Sequence, residues 1–304
     1  MNSALQLHRY AAIDIGSNAM RLLITNVLEQ EGKPPQFHKS ELIRVPIRLG
    51  QDAFTHGEIT TESRTRMVAA MQAFRLLMQV YRVSHYKACA TSAMREAYNG
   101  LEVVEYIKNE AQIHIDIIDG KTEAAIIAHS GLSQYVSNDD NCLFVDVGGG
   151  STEFSLFTDG KLSASRSFKN GTVRLLNHMV PDSVWDDMQL WLQQHTAGLD
   201  SLQMVGSGGN INRLFKMSGI PQDRPLGYMY IHAQYEHLSQ LTYEQRIAEL
   251  GLNPDRADVI IPAIRIYLHA LKWSGAQHLY VPKIGLSDGI IKAMYHGHIR
   301  KNTL

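Results

Sequence analysis

The sequence predicts an α/β chain made of two related halves, and three observations carry that reading. Residues 143–157 run as an apolar strand, a glycine turn and a second strand, with Asp146 and Glu153 on either side of Gly148-Gly149-Gly150-Ser151. The same apolar-Asp-apolar-Gly core recurs at Ile13-Asp14-Ile15-Gly16-Ser17-Asn18, and Asp14 precedes Asp146 by 132 positions. A period that long indicates two similar half-chains, not a solenoid repeat. Short apolar runs also alternate with segments whose apolar residues return at three- and four-residue steps, the pattern of strands interleaved with amphipathic helices.

The glycine turn is where chemistry is expected. Three successive glycines let a backbone approach a ligand closely and allow amide N–H groups to converge on an anion. Asp146 ends one strand and Glu153 begins the next, so both acids are expected at the mouth of the turn. Oxygen ligands facing a phosphate cradle suit Mg²⁺, which binds through one or two carboxylates, waters and substrate phosphates. Read singly, the stretch is equally a glycine-rich hairpin with incidental acids; its second copy favours a site.

The 304 residues hold about two domains, and 44% hydrophobic content supplies two cores. Lys and Arg (29) nearly balance Asp and Glu (30), a net charge of −1. No broad basic field therefore points to nucleic acid or membrane, and a polyanion must be held by local clusters. The two cysteines, Cys89 and Cys142, lie in apolar runs where a buried, inert thiol is expected, which fits a reducing cytosol. Residues 1–7 lack the charged and apolar regions of a leader, no apolar run is long enough to span a bilayer, and a cytoplasmic protein is expected.

In order, strands are predicted at 10–15 and 20–28, then at 41–50, where Pro46 suits an edge. Thr60 is a candidate N-cap, with Glu62 in the first turn, for a long helix presenting Met67, Ala70, Met71, Phe74, Leu77, Met78 and Tyr81 on one face. A strand at 85–90 leads through Thr91-Ser92-Ala93-Met94-Arg95-Glu96-Ala97 into a helix. Arg95 in a first turn implies a nearby anion, because the helix dipole disfavours a cation there. Ile113, Ile115 and Ile117 alternate as a strand, and Gly120 opens a helix whose first turn holds Glu123, by itself an ordinary dipole-complementing acid. The polar stretch 137–141 introduces the central strand. Asp159-Gly160 is a hairpin turn into 161–168. Helices are expected from Asn170-Gly171 and again through Val184, Trp185, Met188, Trp191 and Leu192, then a strand and turn at 202–211. A helical region spans 226–250, and a long helix from Asn253 passes through Ile260, Ile264, Tyr267 and Leu271 with a kink at Pro262. A last strand at 277–281 leads into a final helix. No P-loop, dinucleotide fingerprint, H-E-x-x-H or cysteine-rich zinc pattern is present.

Taken together, these motifs resemble the exopolyphosphatase / guanosine pentaphosphate phosphohydrolase (Ppx/GppA) family over nearly the whole length. The likeness rests on Ile13-Asp14-Ile15-Gly16-Ser17-Asn18 with Arg21-Leu22, Arg48-Leu49-Gly50, the 91–97 motif, Gly120 with Glu123-Ala124, the 145–153 motif, Gly171 with Val173-Arg174-Leu175, Gly206-Ser207-Gly208-Gly209, and Asp255-Arg256-Ala257-Asp258. The resemblance implies two ribonuclease-H-like α/β domains of the actin/sugar-kinase/Hsp70 type, facing each other across an interdomain cleft. Residues 1–125 with a returning 285–304 would form one domain, and 126–284 the other. It implies Glu123 as general base, Glu153 beside it in catalysis, and Asp14, Asp146 and Glu153 around Mg²⁺. Ser17, Asn18, Arg21, Arg48, Ser92, Arg95, Gly148, Gly149, Gly150, Ser151, Arg174, Gly208, Gly209 and Asn210 would hold phosphate.

Thr122 stands where many members have a second Glu, Asn210 where Thr is usual, and Ser287-Asp288-Gly289 where Arg-Glu-Gly is common. Those departures bear on substrate preference. The chain also stops where longer relatives continue into a helical region, so weak tracking of long polymers is expected. The implied activity is Mg²⁺-dependent release of terminal orthophosphate from inorganic polyphosphate or pppGpp, by a cytoplasmic protein compatible with a homodimer, without nucleic acid or membrane partners. An ATP-dependent small-molecule kinase of the same fold would need an adenosine pocket and an acceptor loop, neither of which is recognisable. A non-catalytic polyphosphate or nucleotide sensor would be expected to lose Glu123 or the acids, which are present.

Overall fold

A computed structural model of the chain describes residues 5–130 and 141–304. Most of the polar 137–141 stretch, and residues 1–4, lie outside the described residues. The chain divides into two units, Met1–Ser130 with Leu286–Leu304, and Gly131–Gly285. A boundary after residue 125 would have cut helix α5 (Gly120–Ala128), whose hydrogen bonds make it one body; the division follows its end.

In the first unit, β1 (Gln6–Ile15), β2 (Met20–Glu29) and β3 (Gln36–Val45) form an antiparallel meander. Strands β4 (His85–Ala90) and β5 (Ile115–Ile117) continue in parallel with β1, giving the order β3-β2-β1-β4-β5. β3 is an edge, as Pro46 suggested, but it stops at Val45 because proline has no N–H to continue a ladder. Arg48 then turns left-handed (φ 62°) and starts α1 (Leu49–His56), a helix not anticipated from the sequence.

Helix α2 (Thr61–Val80) begins where its cap predicts: Ser63 N donates to Thr60 Oγ1 at 3.3 Å. Its Met67, Ala70, Met71, Phe74 and Met78 are buried and cluster with Ile13, Ile15, Leu22 and Ala88 of the sheet. Each of the larger side chains contributes about 1.5–3 kcal/mol of apolar transfer. After α3 (Ser92–Glu96), α4 (Gly100–Ala111) adds Val103, Ile107 and Ala111 to the same core.

The second unit repeats the plan. β6 (Cys142–Val147), β7 (Thr152–Thr158) and β8 (Lys161–Phe168) form the meander, joined through the expected Asp159-Gly160 turn at φ 50° and 70°. β9 (Gln203–Ser207) is parallel to β6, β11 (His278–Tyr280) is parallel to β9, and β10 (Leu226–Gly227) adds an antiparallel edge. Each unit thus has a ribonuclease-H-like strand order, three antiparallel strands followed by parallel ones. Helix α6 (Thr172–Leu176) is short, and α7 (Asp182–Thr196) buries Trp185, Met188, Trp191 and Leu192 as its periodicity predicts.

Helix α8 (Gly209–Ser218) follows β9. The 226–250 region is β10 followed by two helices, α9 (Tyr228–Gln240) and α10 (Tyr243–Ala248), the latter opened by a Thr242/Gln245 capping box. The expected kink at Pro262 is instead a break upstream: α11 (Pro254–Ala257) ends and α12 (Ile260–Ser274) restarts. Pro262 falls in the first turn of α12, where the N–H it lacks has no intrahelical acceptor. Helix α13 (Leu286–Tyr295) closes the chain within the first unit. Among the described residues no helix is long and apolar enough to cross a membrane.

Candidate active site

In open α/β sheets ligands gather outside the carboxyl ends of the parallel strands, and there the first unit assembles its predicted residues. Asp14 lies near the end of β1, opposite Arg21 of β2 and beside Cys89 of β4. Arg21 Nη1 donates to Asp14 Oδ2 at 2.9 Å. Burial pushes the Asp14 carboxyl above its ordinary range, and the charge and hydrogen bond of Arg21 oppose that shift without cancelling it. The hydroxyls of Ser17 and Ser92 are hydrogen-bonded at 2.9 Å, joining the turn after β1 to the start of α3. Gly50 N donates to Ser17 O (2.7 Å) and Arg48 N to Asn18 O (3.1 Å), so the left-handed Arg48 backbone is locked onto the same turn.

Glu123 is buried in the first turn of α5. The helix is placed by Thr122 N donating to Asp119 Oδ1 (2.7 Å) and by Ile118 N donating to Ala90 O at the end of β4 (2.9 Å). Cys89 reports how tightly the charges gather: Lys87, Asp116, Asp14 and Glu123 all act on its thiol, and Lys87 is ion-paired with Asp116. Burial is the largest influence and pushes that thiol up to about 12. At pH 8 the thiolate population is therefore on the order of 10⁻⁴. With Cys142 also buried, the native protein is expected to show no fast-reacting thiol toward a disulfide reagent at pH 8, and two after denaturation. One rapidly labelled thiol in the folded state would contradict this.

Arg95 departs from expectation. The helix α3 has only five residues, so Arg95 stands at its C-terminal end, where the dipole favours a cation. Its Nη1 donates to Ile118 O at 2.7 Å. The inference of a bound anion from a first-turn cation falls away, and the contact seen is one that steadies the approach to α5.

The second unit carries the turn in its fuller form. Asp146 of β6 and Glu153 of β7 are directly opposed in register, and Ser207 of β9 lies on the other side of Asp146. Hydroxyls of Ser151 (2.5 Å) and Ser167 (2.8 Å) both donate to Glu153 Oε1. Gly148 N donates to Ser151 O at 2.9 Å, as Gly16 N does to Ala19 O at 3.1 Å in the first unit, so both copies fold alike.

The carbonyls of the glycine turn face inward. Thr172 N binds Gly148 O (3.0 Å), Val173 N binds Gly149 O (2.8 Å), and the buried Arg174 donates from Nε to Gly150 O (2.7 Å). Among the described residues the amides of Gly149, Gly150 and Ser151 donate to no other group. Gly171 makes this clamp possible: a Cβ there would lie 2.4 Å from the backbone of Gly149 and Gly150. Gly208 and Gly209 start α8, while Asn210 Nδ2 is turned to Val259 O (3.4 Å).

Two contributors escaped the sequence reading. Ser167 sits in an exposed-looking strand, and only the β7/β8 register brings it to Glu153. Tyr267 reads as core, yet its hydroxyl donates to Ser207 O; the signal available was that a buried tyrosine needs a partner for its O–H. Burial, with the Asp146 charge second, raises the Tyr267 phenol well above its ordinary value, so it remains a donor.

Directly opposed acids in an antiparallel pair are ordinarily destabilising, and Glu153 is met by two hydroxyl donors. Among the described residues no three His, Cys, Asp or Glu side chains form a metal-holding group. Asp146 and Glu153 are the side chains of this turn that could hold a metal ion, as carboxylate oxygens do for Mg²⁺.

Free amides and opposed acids at the carboxyl ends of parallel strands are the equipment of a phosphate-binding α/β protein. The profile of the Ppx/GppA phosphatase family matches residues 32–298, and the chain belongs to that family. A bifunctional 3-dehydroquinate synthase/phosphatase of Fusobacterium nucleatum is 26% identical over 317 residues, 94% of this chain and 46% of that protein. A guanosine-5'-triphosphate,3'-diphosphate pyrophosphatase of Photobacterium profundum is 26% identical over 323 residues, 97% of this chain and 62% of that protein. The chain spans less than two thirds of the length of either. Among solved structures, an exopolyphosphatase from Cytophaga hutchinsonii matches with a TM-score of 0.81 at 26% identity, over 95% of this chain and 98% of that one.

Proposed function

We propose that this protein is a Mg²⁺-dependent phosphohydrolase that releases terminal orthophosphate from inorganic polyphosphate, pppGpp or both. The observation that carries the reading is the Gly148–Ser151 turn, whose Gly149, Gly150 and Ser151 amides donate to no other described group and stand between Asp146 and Glu153 in the chain. A transferring phosphoryl group spreads charge over three equatorial oxygens, so catalysis needs donors for those oxygens, a positioned water and a base. The amides of Gly149, Gly150 and Ser151 would receive phosphoryl oxygens. Asp146 and Glu153 would hold Mg²⁺, which when bound neutralises charge developing on phosphate oxygens. Ser151 and Ser167 fix the Glu153 carboxylate, and Arg174 with Gly171 fixes the turn. Glu123, held at the start of α5, would take the proton from the attacking water at a carboxylate oxygen. Family membership supports this assignment, and the names of the relatives point to the two substrates.

A terminal phosphoryl group offers the amides three non-bridging oxygens, an internal one two. Orthophosphate is therefore expected as the first product from medium-chain polyphosphate, and orthophosphate with ppGpp from pppGpp. Products resolved on a gel against time, with released phosphate measured in parallel, test this. A ladder of mid-chain fragments preceding orthophosphate, or no release from either substrate, would overturn the reading.

A further inference from the structure

We infer that Gly289 is a positioning residue for Glu123, because it lets α13 rest on the backbone of α5. The inference rests on the hydrolase reading above. Gly289 lies inside α13, where glycine is a poorer helix residue than alanine. Its presence calls for a packing reason. A Cβ at this position would sit 2.3 Å from the carbonyl oxygen of Ile126 and 2.9 Å from its carbonyl carbon. Both are backbone atoms, so no rotamer change relieves the overlap.

Ile126 lies in α5 three residues after Glu123, about 4.5 Å along the helix axis. The contact therefore falls within one turn of the proposed base. Farther along α13, Lys292 Nζ donates to Ser130 O at 3.0 Å, just beyond the end of α5. Asp288, next to Gly289, is ion-paired with Lys39 of β3 at 2.7 Å, anchoring α13 to the sheet. Helix α13 thus transmits the position of the sheet edge to α5 at two points. At its front, α5 is set by the Asp119 cap and the Ile118–Ala90 bond. A side chain at 289 must move α5 by about 1 Å to restore van der Waals separation. Misplacement on that scale is worth about 10²-fold in rate when it affects a group that acts on the reacting atoms.

Gly289→Ala, Glu123→Gln and the double variant separate this role from a general packing role. Gly289→Ala is expected to lower kcat about 10–10²-fold with KM changed less than about threefold. In the Glu123→Gln background it should add less than about threefold, since the base it positions is already gone. Losses that multiply, or a wild-type kcat for Gly289→Ala, would overturn the inference. If Glu123→Gln itself hydrolyses at the wild-type rate, Glu123 is not the base and the inference falls with that assignment; if the wild-type protein releases no phosphate from either substrate, the functional reading fails instead. A crystal structure of Gly289→Ala tests the geometry independently of activity: α5 is expected to shift by about 1 Å relative to β1 and β4, and an unmoved α5 refutes it. Should that variant not fold, Lys292→Gln, which loosens the second grip, is expected to show the same non-additivity with Glu123→Gln at a smaller loss of kcat, and multiplicative losses there refute it equally.

Discussion

Glu123→Gln is expected to lower turnover by about 10²–10⁴ while the protein stays folded and still binds its substrate, the usual worth of a positioned base. The exchange keeps the shape of the side chain and removes its proton affinity. Glu123 is buried at the helix start, so replacing a carboxylate by a neutral amide removes a charge from a poorly hydrated place and should not weaken the fold. The Asp119 cap, which initiates α5, is untouched. Steady-state rates on polyphosphate and pppGpp, with substrate binding followed by calorimetry, check this. A wild-type kcat would reduce Glu123 to an acid that complements the helix dipole.

Asp146→Asn and Glu153→Gln are expected to raise the Mg²⁺ concentration giving half-maximal activity by at least about tenfold, and to lower the rate at any fixed Mg²⁺. The two acids face each other across one β6/β7 register pair, so each substitution removes half of the negative charge available to a divalent ion. Glu153→Gln also leaves the Ser151 and Ser167 hydroxyls an amide oxygen to donate to, so its effect should be read as loss of charge more than loss of geometry. An unchanged Mg²⁺ midpoint in both variants would remove the acids from the metal site.

The parts of the fold that were legible in the sequence are those where one local rule acts alone. Thr60 caps α2, the methionine-aromatic stripe of that helix is buried, the Asp159-Gly160 turn forms, and the two glycine turns end parallel strands as their shared pattern indicates. The parts that were hidden depend on competition or on long-range register. Helix α1 buries only Leu49, Gly50 and Ala53 and so has little periodicity to read. Helix α4 opens with a glycine and exposes Leu101, which blurs its four-residue spacing. Arg95 looked like a first-turn cation because the length of α3 is not written in its residues. At the candidate site, the acids and glycines could be named from their order, but Ser167 and the Arg174 grip on Gly150 exist only through pairing between β7, β8 and α6.

The two copies of the turn have diverged in charge. Position for position, Arg21 occupies in the first copy the place that Glu153 holds in the second. Asp14 with Arg21 sums to zero, whereas Asp146 with Glu153 sums to minus two when both are ionised. Duplication of the turn therefore did not duplicate its electrostatics. The first copy carries its own counter-ion as a covalently attached side chain, Arg21. On the function proposed above, it is the second copy, with two acids in register, that would hold the divalent cation.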